Sequence, residues 1–120
     1  MTLPLAYVAT PYSHPDVVIR NRRYEEACKA AKALAMQGKY AIYSPIAHWH
    51  PIAVACGMPT DAMFWKEQNF GIMTAAHAII VVKFDGWISS MGVDMEITFA
   101  KQNNKVLIYT SPETFDLGGV

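Results

Sequence analysis

Apolar residues along this chain fall into short unbroken runs separated by longer, periodic stretches. The runs are Leu5-Ala6-Tyr7-Val8-Ala9, Tyr40-Ala41-Ile42-Tyr43, Ala78-Ile79-Ile80-Val81-Val82 and Val106-Leu107-Ile108-Tyr109. A continuous apolar run of this length predicts a strand covered on both faces rather than one. Between the first two runs, Tyr24, Ala27, Cys28, Ala31, Leu34 and Ala35 recur at helical spacing. Pro15 suits the first position of that helix, Asp16 its first turn, and Gly38 its end. Ile46 to Pro59 is less regular. Thr60 is expected to cap a second helix, with Asp61 in its first turn and Met63, Phe64, Phe70 and Met73 as its apolar side. A third helix is expected from Met91 to Gln102, ended by Asn103-Asn104.

Strands alternating with helices predict an α/β fold, a parallel sheet with helices on both faces. The expected strand order is about 2-1-3-4, flavodoxin-like or Rossmann-like. In such sheets ligands bind beyond the carboxyl ends of the strands, where the order reverses. The loops Thr10–His14 and Asp85–Gly92 leave from that point, so two segments far apart in sequence are expected to face each other.

Composition narrows the function. With 120 residues, 52% of them hydrophobic and 17% charged, the chain suits one domain with a real core, expected over residues 1–110. Thr110 onward, with Pro112 and two closing glycines, reads as a loosely held tail over 111–120. Ten basic and ten acidic residues leave no net charge, which argues against nucleic acid as a partner. Cys28 and Cys56 form no CxxC pair, and no segment is long enough to span a bilayer, so the expected setting is cytoplasmic. The aromatic and methionine residues Phe64, Trp65, Phe70 and Met73 exceed what a small monomer needs to bury, which predicts a homo-oligomer.

The chemistry concentrates in the two loops. Ser89, Gly92, Val93 and Glu96 fall on one stripe of the third helix, and helical side chains lean toward the N-terminus. The Glu96 carboxylate therefore points back toward the loop, where free N–H groups, the Ser90 hydroxyl and the bare backbone at Gly92 would receive an anion. The competing reading is an ordinary serine cap, Ser89 or Ser90, with Glu96 as a surface carboxylate. Tyr7, near the end of the first strand, could reach a carboxylate across the switch point, or be plain core. Pro11 and Tyr12 could wall a planar base, or form an ordinary turn. His48 and His50 flank Trp49. On an extended segment they would share a face, with Cys56 or His14 as a third metal ligand. Contact of a histidine with substrate, or structural packing beside Trp49, competes with that reading. Arg20, Arg22 and Arg23 read as a solvated helix face, and His77 as structural. No GxGxxG, GxxxxGK[ST] or GxSxG occurs. A flavin carrier rests on sheet order alone.

Taken together, these pieces resemble the nucleoside 2-deoxyribosyltransferase superfamily, and within it a small bacterial and phage branch related to nucleoside 5′-monophosphate N-glycosidases. The resemblance covers about residues 5–109. It is carried by Tyr7–His14, by Ser44 through His50-Pro51, by Phe64-Trp65, by Gly86-Trp87, and most specifically by Ser90-Met91-Gly92-Val93-Asp94-Met95-Glu96. It implies cleavage of the N-glycosidic bond of a (deoxy)nucleoside or its 5′-monophosphate, by hydrolysis or base exchange, with no cofactor and no metal. Glu96 would be the nucleophile and Tyr7 its positioning partner. Ala9, Thr10, Pro11, Tyr12, Ser13, His14, Ser44, His48, Asp85, Gly86, Ser89, Ser90 and Gly92 would line the substrate. In the superfamily, members acting on free nucleosides carry Asp six residues before the glutamate, and those acting on nucleotides carry Ser. Ser90 thus implies a monophosphate, because an Asp there would repel it. The family also carries an Asp that assists the departing base. The register puts Asn69 there, which hydrogen-bonds but cannot act as a general acid, leaving Glu67 or Asp85 as substitutes. A non-catalytic nucleotide-binding module is therefore the alternative.

Overall fold

The structure, a computed structural model, describes residues 2–118. Its elements run β1 (Leu5–Ala9), α1 (Val17–Met36), β2 (Ala41–Tyr43), α2 (Pro45–Cys56), α3 (Ala62–Ala75), β3 (Ala78–Val82), α4 (Met91–Gln102) and β4 (Val106–Thr110). The four strands form one parallel sheet in the order β2-β1-β3-β4, the order expected from the sequence. The parallel pairing follows from the crossovers. Each strand returns through a helix, which only a parallel neighbour accommodates.

Alternation along the strands divides the core. Ala6, Val8, Ala78, Ile80 and Val82 face one way and pack with Ala30 and Leu34 of α1. Tyr7, Ala9, Ile79 and Val81 face the other way, against Met73 of α3 and Val93 and Ala100 of α4. All five residues of β3 are buried, as a central strand covered on both sides must be. This two-sided cover is what holds the carboxyl ends of β1 and β3 still.

Three expectations need correction. The stretch after β2 is a helix, α2, rather than irregular chain. Ser44 caps it by accepting from the Ala47 amide, Pro45 opens it, and Gly57 closes it at φ 70°. Pro51 sits inside it and hides the helical pattern. The helix starts also shift by a residue or two. Asp16, not Pro15, borders α1 and accepts from the Val18 amide, and Asp61, not Thr60, caps α3 by accepting from the Phe64 amide.

The third correction concerns the tail. Phe115 and Leu117 are buried in the α1-side core. Thr110 Oγ1 donates to the Asp116 carbonyl at 2.5 Å, and Gln37 Nε2 donates to the Phe115 carbonyl at 2.8 Å. Apolar side chains at 115 and 117 outweigh the loosening effect of Pro112 and the glycines. Positions 119 and 120 lie outside the described residues. No described helix is long and apolar enough to cross a membrane.

Candidate active site

Glu96 is placed by the first turns of α4. Ser90 caps that helix, its Oγ accepting from the Val93 amide at 3.2 Å, so the simple capping reading of Ser90 is correct as far as it goes. The cap leaves the Met91 and Gly92 amides without intrahelical acceptors. Glu96 lies a turn and a half further on, facing the sheet, and is 7% exposed. Tyr7 of β1 points at it from below, and the Tyr7 hydroxyl donates to Glu96 Oε2. Burial pushes the Glu96 carboxyl up to about 8, while the hydrogen bond from Tyr7 pulls the other way. Tyr7 is raised well above its ordinary value, first by burial and then by the neighbouring carboxylate, so its hydroxyl stays protonated and donating.

Above this pair opens a cleft of about 710 Å³ of empty space, part of it continuous with solvent. Glu96, Ser90, Gly92 and Met95 of α4 form one side. Thr10, Tyr12 and Ser13 of the β1–α1 loop form another, and Asn69, Phe70, Lys66 and Trp65 of α3 a third. Pro45, Trp49 and His50 of α2 complete it, together with Pro59, Thr60 and Asp61 of the next loop. Two hydrogen bonds hold the walls together. Ser13 Oγ donates to the Thr60 carbonyl at 2.9 Å, and Trp65 Nε1 donates to the Pro59 carbonyl at 2.9 Å.

The cleft has an aromatic end. The rings of Trp49 and Trp65 are 4.8 Å apart. His50 stacks on Tyr24 at 4.4 Å and meets Tyr12 edge-on, with the Tyr12 hydroxyl and His50 Nδ1 hydrogen-bonded at 2.6 Å. Burial, then the nearby Arg20 charge, lowers His50 below its ordinary value, so this histidine is neutral at neutral pH. Thr10 Oγ1 is buried without a hydrogen-bond partner among the described residues.

The structure therefore brings together Glu96, Tyr7, Asn69, Thr10, Tyr12, Ser13, Ser90 and Gly92. A Cβ on Gly92 would meet Ala62 only at ordinary contact distance, 3.7 Å, so the protein itself does not demand glycine there. The other expected residues stand apart from the cleft. Ala9 and Pro11 are buried under it. His14 is occupied by the Asp16 amide, which donates to its Nδ1 at 3.0 Å. Ser44 is spent as the α2 cap. His48 is exposed, packing on Tyr43 and Trp49. Asp85, Gly86 and Ser89 line a separate shallow hollow with Trp87 and Ile88, and Glu67 is exposed outside the cleft.

The histidine pair diverges because α2 is helical. Residues two apart on a helix lie on different sides, so His50 turns into the cleft and His48 away. Among the described residues no three His, Cys, Asp or Glu side chains converge on a metal position. Nor is the basic run of α1 simply solvated. Arg20 Nη1 donates to the His14 carbonyl at 2.5 Å, and Arg23 Nη1 to the Ser13 carbonyl at 2.9 Å. Trp49, Trp65, Lys66 and Met95 fall outside the expected set, and His50, open between metal, substrate and packing in the sequence, lines the cleft. Reading α2 as a helix from its Ser-Pro start would have turned Trp49 and His50 toward the site.

No curated protein matches the chain. A family model described as a domain of unknown function, DUF1937, matches residues 5–111, which takes in every strand, every helix and every wall of the cleft. The chain belongs to the DUF1937 family.

Proposed function

We propose that this protein cleaves the N-glycosidic bond of a (deoxy)nucleoside 5′-monophosphate, with Glu96 as the nucleophile. The observation that carries the reading is the buried Glu96 carboxyl, bordering the cleft and hydrogen-bonded from beneath by Tyr7. A carboxyl held on one face of a sugar can attack the anomeric carbon as the base leaves from the other face with the bonding electrons. The resulting glycosyl ester is released to water or to a second base. Burial keeps Glu96 largely protonated at neutral pH in the free protein. The positive charge that develops on the sugar favours the ionised form, so the carboxylate is stabilised where it is needed. The Trp49, Trp65 and His50 rings suit a planar base. The Ser90 hydroxyl, the open amides of α4 and the Lys66 ammonium suit a monophosphate. The same reading includes a cytoplasmic protein and a homo-oligomer. Of the four residues behind the oligomer expectation, Trp65 and Met73 are consumed inside the protomer and Phe70 packs on Phe99. Exposed Phe64 and Met63 are what a second copy would cover.

The test is chromatography of the protein incubated with deoxynucleoside and ribonucleoside monophosphates. Free base is expected from wild type and not from Glu96→Gln. No base from any nucleotide would remove the enzymatic reading. One observation favours a second reading, a nucleotide-binding module. Asn69, which the resemblance puts beside the departing base, lines the cleft, and neither Glu67 nor Asp85 does. Saturable nucleotide binding without base release would establish that module. If the enzyme reading holds, Asn69→Asp raises the rate of base release by about 10²-fold, the lower end of what a positioned acid contributes.

A further inference from the structure

Arg23 stands outside the cleft, yet it touches both loops that shape it. Its Nη1 donates to the Ser13 carbonyl at 2.9 Å and more weakly to the Tyr12 carbonyl at 3.4 Å. Tyr12 and Ser13 are themselves cleft residues. On the other side its Nη2 lies against Gly86, so close that a Cβ there would come within 2.5 Å of it. Gly86 has φ +92°, a conformation that other residues rarely adopt. It opens the turn that leads through Trp87 to the Ser90 cap, with the Trp87 amide donating to the Phe84 carbonyl and the Ser90 amide to the Trp87 carbonyl. A single guanidinium on α1 therefore spans from the loop after β1 to the loop after β3, the two segments that flank the switch point. Arg23 Nε is buried with no hydrogen-bond partner among the described residues. Lysine, with a single nitrogen in place of a planar fork, cannot bridge the two loops.

We infer that Arg23 is a positioning residue which straps the Tyr12–Ser13 wall of the cleft to the Gly86–Ser90 turn, and that Gly86 is the seat for its guanidinium and not a contact for substrate. The strap sets the gap between the tyrosine wall and the α4 N-terminus, and so the fit of whatever occupies the space between them. Its consequence for a ligand rests on the nucleotide reading above, but the strap itself does not.

The experiment has a ligand-free arm and a ligand arm. Backbone hydrogen exchange is followed by mass spectrometry in wild type, Arg23→Gln, Arg23→Lys and Gly86→Ala. Faster exchange is expected in both 10–14 and 86–90 for each variant, with the sheet amides unchanged. Loosening confined to 10–14 would overturn the inference, since it would make Arg23 a local loop anchor. In the ligand arm, base release from deoxynucleoside monophosphates is measured at a temperature where every variant is folded. KM is expected to rise about tenfold in Arg23→Gln with a much smaller change in kcat, because a loosened wall weakens binding more than the buried Glu96 chemistry. The effects of Arg23→Gln and Gly86→Ala should fall short of additive, because both break the same contact, the rest of the Gly86→Ala effect being the backbone strain of φ +92°. Loosened loops with an unchanged KM, or strictly additive effects, would overturn the positioning role. Loosened loops in a protein that binds no nucleotide would leave the strap standing and remove the nucleotide reading. If Arg23→Gln does not fold, Arg23→Lys and Gly86→Ala carry both arms.

Discussion

Glu96 is pulled in two directions by the groups around it, and the balance makes its chemistry sensitive to pH. Removal from water favours the neutral acid and sets the carboxyl at about 8, while the Tyr7 hydroxyl favours the anion. Base release that needs an ionised Glu96 is therefore expected to rise with pH from about 6 and level off above about 8. Tyr7→Phe removes the group that favours the anion, so the rising limb moves to higher pH, in a pH–kcat/KM profile taken on both proteins. The same shift has a stability consequence. An unfolded carboxyl titrates near 4.5, so between about 4.5 and 8 the folded protein holds a proton that the unfolded chain has lost. Stability from this group is full below pH 4.5 and is lost progressively as pH rises to 8. Each pKa unit corresponds to about 1.4 kcal/mol, so the loss amounts to a few kcal/mol. Glu96→Gln cannot ionise. It is expected to melt with wild type near pH 4.5 and above it by several degrees at pH 8.5, in thermal unfolding followed across that range. A variant no more stable than wild type at pH 8.5 would contradict the buried carboxyl. The pairing of Tyr7 with Glu96 is implied by the resemblance, whereas the residues alone leave Tyr7 open between a carboxylate partner and plain core. The size of the shift is legible in neither, since it depends on how completely α3 and α4 exclude water.

At the level of elements, the α4 N-terminus combines a structural task and a proposed binding task, and the two separate under substitution. Ser90→Ala removes the acceptor for the Val93 amide and is expected to cost about 1 kcal/mol of stability. Ser90→Asp keeps an acceptor and places a negative charge at the positive end of the helix, so stability should hold or improve slightly. The same charge repels a phosphate. Ser90→Asp is therefore expected to weaken monophosphate binding at least about tenfold while leaving a free nucleoside nearly unaffected, measured by calorimetry with the matched pair. Equal losses for nucleotide and nucleoside would mean that the phosphate sits elsewhere. The α4 bounds are visible in the sequence, Met91 to Gln102, because a capping serine and an Asn-Asn stop bracket a clean apolar stripe. α2 is not so visible. Its Ser44-Pro45 start is an ordinary helix signal, but Pro51 and the His-Trp-His cluster look like loop chemistry. That one misreading accounts for part of the shortfall at the site, since α2 supplies Trp49 and His50.

For the whole molecule, the sheet order follows from the alternation of apolar runs and helical stripes, and with it the position of the cleft. The role of the tail does not follow, because its two anchors are isolated apolar residues among polar ones and show no period. Phe115 adopts φ 51°, an unfavourable left-handed conformation for a bulky side chain, and its amide donates to the Ser111 carbonyl at 2.9 Å. The return for that strain is burial of the ring against Phe84, with Leu117 beside it, over the sheet face that α1 covers. The cleft belongs to the opposite face, where Tyr7 meets Glu96. Stability and binding should therefore separate cleanly. Phe115→Ala is expected to cost about 3 kcal/mol or more, a fall in melting temperature of roughly 10 °C or greater. At a temperature where both proteins are folded, its affinity for a nucleoside monophosphate should match wild type within about twofold. A destabilised variant that also binds poorly would show that the tail reaches the cleft through the sheet. A variant as stable as wild type would show that the segment after β4 is a passenger and that the α1-side core closes without it.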